Sequence, residues 1–166
     1  MQFSFSHEFD TTPEGFWAVF WDEAYNTELY RALAIKERVV VKDSEENGVR
    51  RRSQRLEPSV PVPGWAASVL KDLSYTEHDV FHRDRSSMDV TVEPVMGKER
   101  FQLGGVFSVT PAGPGRCRRE FRGEVKISVP LLGGKIEKLM VDQLRDAYDN
   151  AARVTRDFLA RQHKAT

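Results

Sequence analysis

The sequence predicts an α+β fold, in which a series of antiparallel strands is followed by one long C-terminal helix. Two patterns support this prediction. In residues 117–129, apolar and charged side chains alternate, which is typical of a strand with one buried face. After Gly134, apolar residues recur at steps of three and four over roughly 30 residues, which is the period of an amphipathic helix. Polar or glycine-rich turns separate the predicted strands that come before residue 117.

The first element is a strand over Gln2–Phe9, where apolar and polar residues alternate. A helix is expected to begin near Pro13, because hydroxyl and carboxylate side chains that can cap it come just before. Asp22 can end this helix and cap another one. Two short helices are therefore predicted after the first strand.

A hairpin is expected next. Ile35–Lys42 is rich in β-branched residues, and residues 43–48 end in an Asn-Gly turn signal that leads into a partner strand at Val49–Glu57. Residues 58–73 contain prolines and then apolar residues at helical spacing, which predicts a loop and a short helix. Four more strands complete the sheet, namely Tyr75–Arg83, Met88–Val95, Phe101–Thr110 and Cys117–Val129.

Composition limits the class of protein. A chain of 166 residues, 40% of them hydrophobic, suits one domain over residues 1–166. The 25 basic and 25 acidic residues leave no net charge, so we expect no nucleic-acid partner. The absence of a basic leader and of an apolar run near ~18 residues predicts a soluble, cytoplasmic protein without an integral membrane segment. Cys117 is the only cysteine, which excludes an internal disulfide and a zinc site built on several thiolates.

The order of elements resembles the helix-grip fold of the START-like superfamily, also called SRPBCC, which includes birch-pollen-allergen relatives, polyketide cyclases and lipid-transfer domains. The stretch FSFSHEFDTTPEGFWAVFWDEAY is similar to the opening strand and helices of that superfamily, and VPLLGGKIEKLM is similar to its final strand-to-helix junction. Within the superfamily, residues 129–137 and 61–65 look most like a bacterial family of unknown function.

This resemblance implies a curved antiparallel sheet of about seven strands wrapped around the C-terminal helix, with an internal pocket between them. We expect the pocket to bind a small hydrophobic or amphipathic molecule. The alternative is that the same residues fill the core completely. The expected lining residues are Trp65, Val69, Leu70, Leu103, Phe107, Arg119, Phe121, Val125, Met140, Leu144 and Tyr148.

Candidate catalytic and metal-binding residues are few. His78 and His82 are four residues apart on a predicted strand, about 13 Å, which is too far to share one metal ion, so we expect neither metal nor cofactor. Cys117 has the parity of inward-facing residues, which favours an unreactive buried thiol. Glu77 and Asp79 share one face of their strand, and an exposed acidic face is favoured over a pair of carboxylates in the pocket.

Arginines raise two further alternatives. Arg119 can turn inward and bind an anionic group of a ligand, or extend to solvent at the end of the sheet. The run at residues 50–52 and Arg55 is expected to divide between the two faces of its strand rather than form one basic track.

The absence of a recognisable catalytic set favours a non-enzymatic binding or carrier protein. One alternative is a cyclase, aromatase or hydrolase that uses polar residues of the same cavity. Another alternative is a protein-interaction domain. The sequence is also compatible with transient contact with a membrane. Gly133-Gly134-Lys135 lacks the remaining residues of a phosphate loop. We interpret these glycines as a hinge that lets the chain reverse into its last helix.

Overall fold

The computed structural model describes residues 1–165, which form a seven-stranded antiparallel sheet, two short helices and one long helix. The strands lie in the order β1-β7-β6-β5-β4-β3-β2, so β1 and β2 are the edges. This architecture confirms the α+β helix-grip prediction. The elements are β1 Gln2–Phe9, α1 Pro13–Phe20, α2 Glu23–Ala32, β2 Ile35–Glu46, β3 Val49–Pro58, β4 Tyr75–His82, β5 Ser87–Pro94, β6 Phe101–Pro111, β7 Cys117–Ile127 and α3 Gly133–Ala165, with a 3-10 turn at Arg83–Arg85.

Both short helices begin at the side chains that the sequence indicated. The Thr12 hydroxyl accepts a hydrogen bond from the Gly15 amide at 3.1 Å, and Pro13 follows as the first helical residue. The Asp22 carboxylate accepts from the Tyr25 amide at 3.0 Å and so starts α2. The break at Asp22 therefore comes from a local cap.

The β2–β3 hairpin is longer than predicted. Residues 43–46 were expected in a turn, but β2 continues to Glu46 and only Asn47 and Gly48 form the turn, both at positive φ. Cross-strand ion pairing accounts for the extension, since the Arg50 guanidinium donates to both oxygens of Asp43 at 2.7–2.8 Å. The β2 strand also has two register shifts against β3, near Ile35 and Val40.

The short helix predicted within residues 58–73 is wrong. Residues 64–69 form turns, and only the Leu70 amide makes a helical bond, to the Ala66 carbonyl at 2.9 Å. A segment this short gains too few such bonds to offset the cost of starting a helix. Val69 and Leu70 nevertheless pack against the hydrophobic core.

The long helix α3 lies along one side of the sheet, against β1, β7 and α2. Its contact with α2 includes a buried hydrogen bond between the Tyr25 and Thr155 hydroxyls at 2.7 Å. The side-chain amide of Asn150 also donates to the backbone carbonyl of Ala32 at 2.7 Å. Because α3 is fixed above β1 and β7, the inner face of β3, β4 and β5 is left for other groups to cover. Within residues 1–165, no helix combines the length and apolarity needed to cross a membrane.

The sheet has two different ends. The loop end carries the β3–β4, β5–β6 and β7–α3 connections, over residues 59–74, 95–100 and 128–132. Backbone bonds tie these loops together: the Val95 amide donates to the Ser74 carbonyl at 2.9 Å, and the Ser128 amide donates to the Arg100 carbonyl at 2.8 Å. The turn end carries the other three connections of the sheet, at residues 47–48, 83–86 and 112–116.

The β7–α3 junction reverses direction differently from the expected glycine hinge. The residue with positive φ is Leu131, at 65°, and neither Gly133 nor Gly134 needs that conformation. Gly133 is required for another reason, because a Cβ atom there would lie 2.4 Å from the Ile127 carbonyl oxygen. A Cβ atom at Gly134 would meet open space. One glycine therefore allows close approach of helix and strand, and the next is replaceable.

The two neighbouring glycines give a matched test of this junction. We expect Gly133→Ala to destabilise the fold by about 1–3 kcal/mol, because the added methyl group displaces α3 from β7. Gly134→Ala should be neutral or stabilise by up to ~1 kcal/mol, because alanine restricts the unfolded chain. Urea denaturation of both variants measures the difference, and equal effects would contradict the assigned role of Gly133.

Candidate functional site

The interior is filled by aromatic side chains at the turn end. Trp17 packs on Phe81 with ring centroids 4.4 Å apart, and Phe16 and Phe107 continue the cluster. Cys117 is fully buried beside this cluster, as predicted, and burial raises the pKa of its thiol to about 11. Rings packed in this way leave no room for a ligand within the aromatic cluster itself.

At the loop end several inward side chains are only partly buried, and they mark a candidate cleft. Along β4, the inward-facing residues change from partly exposed at Tyr75 and Glu77 to buried at Asp79 and Phe81. The neighbouring strands β5 and β6 show the same gradient, and α3 is partly exposed on its facing side before its second half becomes buried. We therefore define the cleft by its partly exposed inward residues, Tyr75, Glu77, Val92, Phe101, Leu103, Met140, Leu144 and Tyr148.

The expected lining residues fall into three groups. Leu103, Met140, Leu144 and Tyr148 are partly exposed and so belong to the candidate cleft as defined above. Trp65, which is 46% exposed, lies at the rim with the half-buried Val69 and Leu70. The other four are buried in the packed part of the core, namely Phe107, Arg119, Phe121 and Val125.

The deepest part of the cleft is built on an ion pair between neighbouring strands. Arg52 on β3 and Asp79 on β4 are register partners, and both face inward. The Arg52 Nε and Nη2 atoms donate to the Asp79 Oδ2 atom at 3.1 and 2.9 Å. Asp79 Oδ1 is buried and has no hydrogen-bond partner. The expectation of an exposed acidic face was therefore wrong for Asp79, because its strand parity follows Phe81 into the core.

A hydrogen-bonded group surrounds this pair. Gln54, the register partner of Glu77, donates from Nε2 to the Glu77 carboxylate and to the Tyr30 hydroxyl, each at 2.8 Å. The Gln54 carbonyl oxygen accepts from Arg38 Nε at 2.8 Å. We call Tyr30, Arg52, Gln54, Glu77 and Asp79 the polar network. Its members come from α2, β3 and β4, and the inter-strand register aligns them.

Burial gives the polar network unusual acid–base properties. The pKa of Asp79 rises to about 7, mainly because burial disfavours its charged form and secondly because Glu77 carries like charge nearby. The Arg52 guanidinium opposes this rise. Asp79 is therefore a carboxyl group that titrates near neutral pH inside the protein.

Three tyrosines surround the same space. Burial raises the pKa of Tyr30, Tyr75 and Tyr148 above the ordinary range, and the charge of Glu77 contributes to each rise. Tyr148 also stacks on Phe121 with centroids 5.1 Å apart. These phenols stay protonated, so they can act as hydrogen-bond donors in the cleft.

Arg119 turns inward, so the alternative of a side chain extended to solvent is wrong. Its side chain is buried, and its Nη2 atom donates to the Tyr148 carbonyl at 3.0 Å and to His7 Nδ1 at 2.9 Å. His7 Nε2 in turn bonds to Asp149 at 2.8 Å. Burial lowers the pKa of both Arg119 and His7. Arg119 Nε is buried without a partner, and the guanidinium has no carboxylate in ion-pair contact among residues 1–165.

The remaining candidates behave as ordinary surface groups. His78 bonds to Ser53 and Glu93, and His82 bonds to Asp89. In the described part of the chain, no group of three or more histidine, cysteine or acidic side chains could hold a metal ion. The arginines at residues 50–55 divide between the two faces of β3, as predicted.

A separate hollow of about 210 Å³ lies at the turn end, between α1 and the β2–β3 hairpin. Three of its charged residues already have partners, because Arg83 pairs with Glu45 at 2.5 Å and Arg50 lies over the Trp21 ring. Trp17 and Phe81 separate it from the cleft.

Sequence reasoning missed Tyr30, Arg52 and Gln54 as interior residues. A signal was present, because Arg52 and Gln54 share the parity of Leu56, which is buried. Polar residues on both faces of β3 concealed that pattern.

The chain matches a known family model. Residues 4–159 match the model of a family described as "Protein of unknown function (DUF2505)". No curated protein matches the sequence.

Several solved structures share the fold at low sequence identity. The Zhui aromatase/cyclase from Streptomyces sp. R1128 has a TM-score of 0.72 and 8% identity, over 98% of this chain and 94% of that chain. Norcoclaurine synthase from Thalictrum flavum, in complex with dopamine and hydroxybenzaldehyde, has a TM-score of 0.65 and 15% identity, over 96% and 87% of the two chains. A START superfamily protein from Mycobacterium smegmatis has a TM-score of 0.62 and 16% identity, over 95% and 98%. These similarities establish the START-like fold.

The raised pKa of Asp79 predicts a specific pH dependence of stability. Because the folded protein holds this proton more tightly than the unfolded chain, stability falls as the pH rises from about 4 to 7. Asp79→Asn should remove roughly 1–3 kcal/mol of that decline. Urea denaturation of both proteins across this pH range measures the effect. Asp89→Asn, on the outward face of β5, is the control, and an unchanged slope in Asp79→Asn would contradict the assignment.

Proposed function

The chain belongs to the DUF2505 family, and we propose that it binds a small amphipathic molecule in the cleft between α3 and the sheet. The gradient of exposure along β4, β5, β6 and α3 is the observation that supports this proposal. Inward side chains of these strands and of α3 remain partly exposed there, whereas the same strands are buried a few residues further on.

The chemistry of the walls indicates the kind of ligand. Leu103 and Val92 on the sheet and Met140 and Leu144 on α3 supply apolar surface, which favours an apolar ring or chain. Glu77 lies level with Val92 and Leu103 in the strand register, and Tyr75 and Tyr148 add phenols, so a hydrogen-bonding group of the ligand would find partners beside the apolar walls. The ligand would place its polar group toward the polar network and its apolar part toward the loop end.

Another protein with this fold holds small molecules. The structurally similar norcoclaurine synthase holds dopamine and hydroxybenzaldehyde, which are both small phenols. A phenol would match the mixture of apolar walls and hydrogen-bonding groups in this cleft.

Filling the cleft tests the binding proposal. Leu103→Trp places a large ring inside the cleft, whereas Val106→Trp places the same ring on the outer face of the same strand. We expect the first variant to weaken binding of the fluorescent amphiphile 8-anilino-1-naphthalenesulfonate at least about tenfold and the second to leave it unchanged. Fluorescence titration measures both, after circular dichroism has shown that the variants fold. Leu144→Trp repeats the test from α3, and equal binding by all four proteins would contradict the proposal.

One observation favours a second candidate function, an enzyme that moves protons on a bound substrate. Burial and the like charge of Glu77 raise the pKa of Asp79, and its buried Oδ1 atom has no hydrogen-bond partner. A general base of this kind removes a proton from a carbon next to a carbonyl group, and the protonated phenol of Tyr148 would stabilise the oxygen anion that forms.

Proton exchange tests the catalytic candidate without knowledge of the natural substrate. We expect the protein to speed exchange of the α-protons of phenylacetone in D₂O, as followed by proton NMR. Asp79→Asn should reduce this rate about 100-fold because it removes the base. Asp89→Asn should retain it. Exchange at the buffer rate in the unaltered protein would leave binding as the function.

A further inference from the structure

We propose that the loop end is a docking surface for an anionic lipid bilayer. Nine large hydrophobic residues among the described residues are exposed, and five of them lie at this one end of the sheet. They come from the N-terminus and from three separate connections, so they do not lie on the face of one strand. We call these five residues the tips. The five are Met1, Trp65, Val95, Met96 and Leu131.

Leu131 is the strongest single observation. Its side chain is 100% exposed, and its backbone has φ 65°, a conformation that is unfavourable for a residue with a Cβ atom. Backbone bonds from the Gly133 amide to the Val129 carbonyl and from the Leu132 amide to the Pro130 carbonyl, each at 2.8 Å, close the turn around it, but the side chain itself is directed entirely into solvent. Strain of this kind persists at positions that serve a function. Insertion into lipid would give this side chain an apolar environment.

The charges around the tips suit a negatively charged surface. The loop-end segments 59–74, 95–100 and 128–132 contain three basic and two acidic residues, and Lys126, Lys135 and Lys138 flank the last segment. Lys98, Arg100 and Lys138 pair with acidic side chains, so Lys71, Lys126 and Lys135 carry the argument. The flanking acid Glu137 is already engaged by the Met1 ammonium at 3.1 Å and by the Ile127 amide. Lys71, Lys126 and Lys135 are exposed. Basic residues next to exposed apolar ones are the combination that binds anionic lipid surfaces.

The position of the cleft favours a bilayer over a protein partner. The cleft opens at this same end, so docking would bring its mouth to the lipid surface, where amphipathic molecules dissolve. Isolated tips on three loops also suit a fluid surface, whereas a protein partner requires a continuous complementary patch. The inference does not depend on which molecule occupies the cleft.

Vesicle binding tests the proposal. The purified full-length protein is sedimented with vesicles of phosphatidylcholine alone or of phosphatidylcholine mixed with phosphatidylglycerol. We expect stronger binding to the mixed vesicles, with a blue shift of tryptophan emission because Trp65, the exposed tryptophan, enters the lipid. The double variant Leu131→Ser, Met96→Ser should bind roughly tenfold more weakly. The double variant Lys126→Ser, Lys135→Ser should lose the preference for phosphatidylglycerol.

Matched controls distinguish vesicle binding through the loop end from nonspecific adsorption. Val41→Ser and Val106→Ser remove exposed apolar residues away from the loop end and should leave vesicle binding unchanged. Equal losses in these controls, or no binding to either vesicle, would overturn the proposal. Light scattering without vesicles gives a third outcome. A concentration-dependent dimer that Leu131→Ser, Met96→Ser abolishes would assign the surface to a second copy of the chain and would also overturn it.

Discussion

The attachment of α3 to one side of the sheet is the constraint on which the rest of the structure depends. Close approach at Gly133 holds its first turn against the end of β7, and the bond between Tyr25 and Thr155 holds its second half against α2. A helix fixed at both points covers β1 and β7 and cannot also cover β3, β4 and β5. The inner face of those strands must then be closed by side chains or by a bound molecule.

The protein closes that face in two ways. Aromatic rings pack against one another toward the turn end, which provides a rigid base. Toward the loop end, the filling changes to charged and hydrogen-bonding groups that are expensive to bury. Arg52 and Asp79 offset part of this cost for each other, but Asp79 Oδ1 and Arg119 Nε keep no partner. A core optimised for stability alone would contain apolar residues at these positions, so the polar residues point to a use for the space.

Much of the fold could be predicted from local pattern. Alternation located β1 and β7, the capping side chains located both short helices, and helical period located α3, because each signal depends on residues close in sequence. The length of β2 was missed because the ion pair between Asp43 and Arg50 forms only when two strands meet. The interior position of Asp79 was missed for a similar reason. Its strand is polar on both faces, so only the neighbouring strands decide which face is buried.

The single thiol of Cys117 can report on transient local unfolding of the protein. Cysteine reagents attack the thiolate, and burial both hides this sulfur and keeps it protonated. The residue belongs to the packed turn end, while the cleft opens at the other end. Opening of the cleft would leave Cys117 unlabelled, and modification would record only those rarer events in which the aromatic base itself comes apart. The rate of labelling would therefore separate two motions that bulk measurements of unfolding combine.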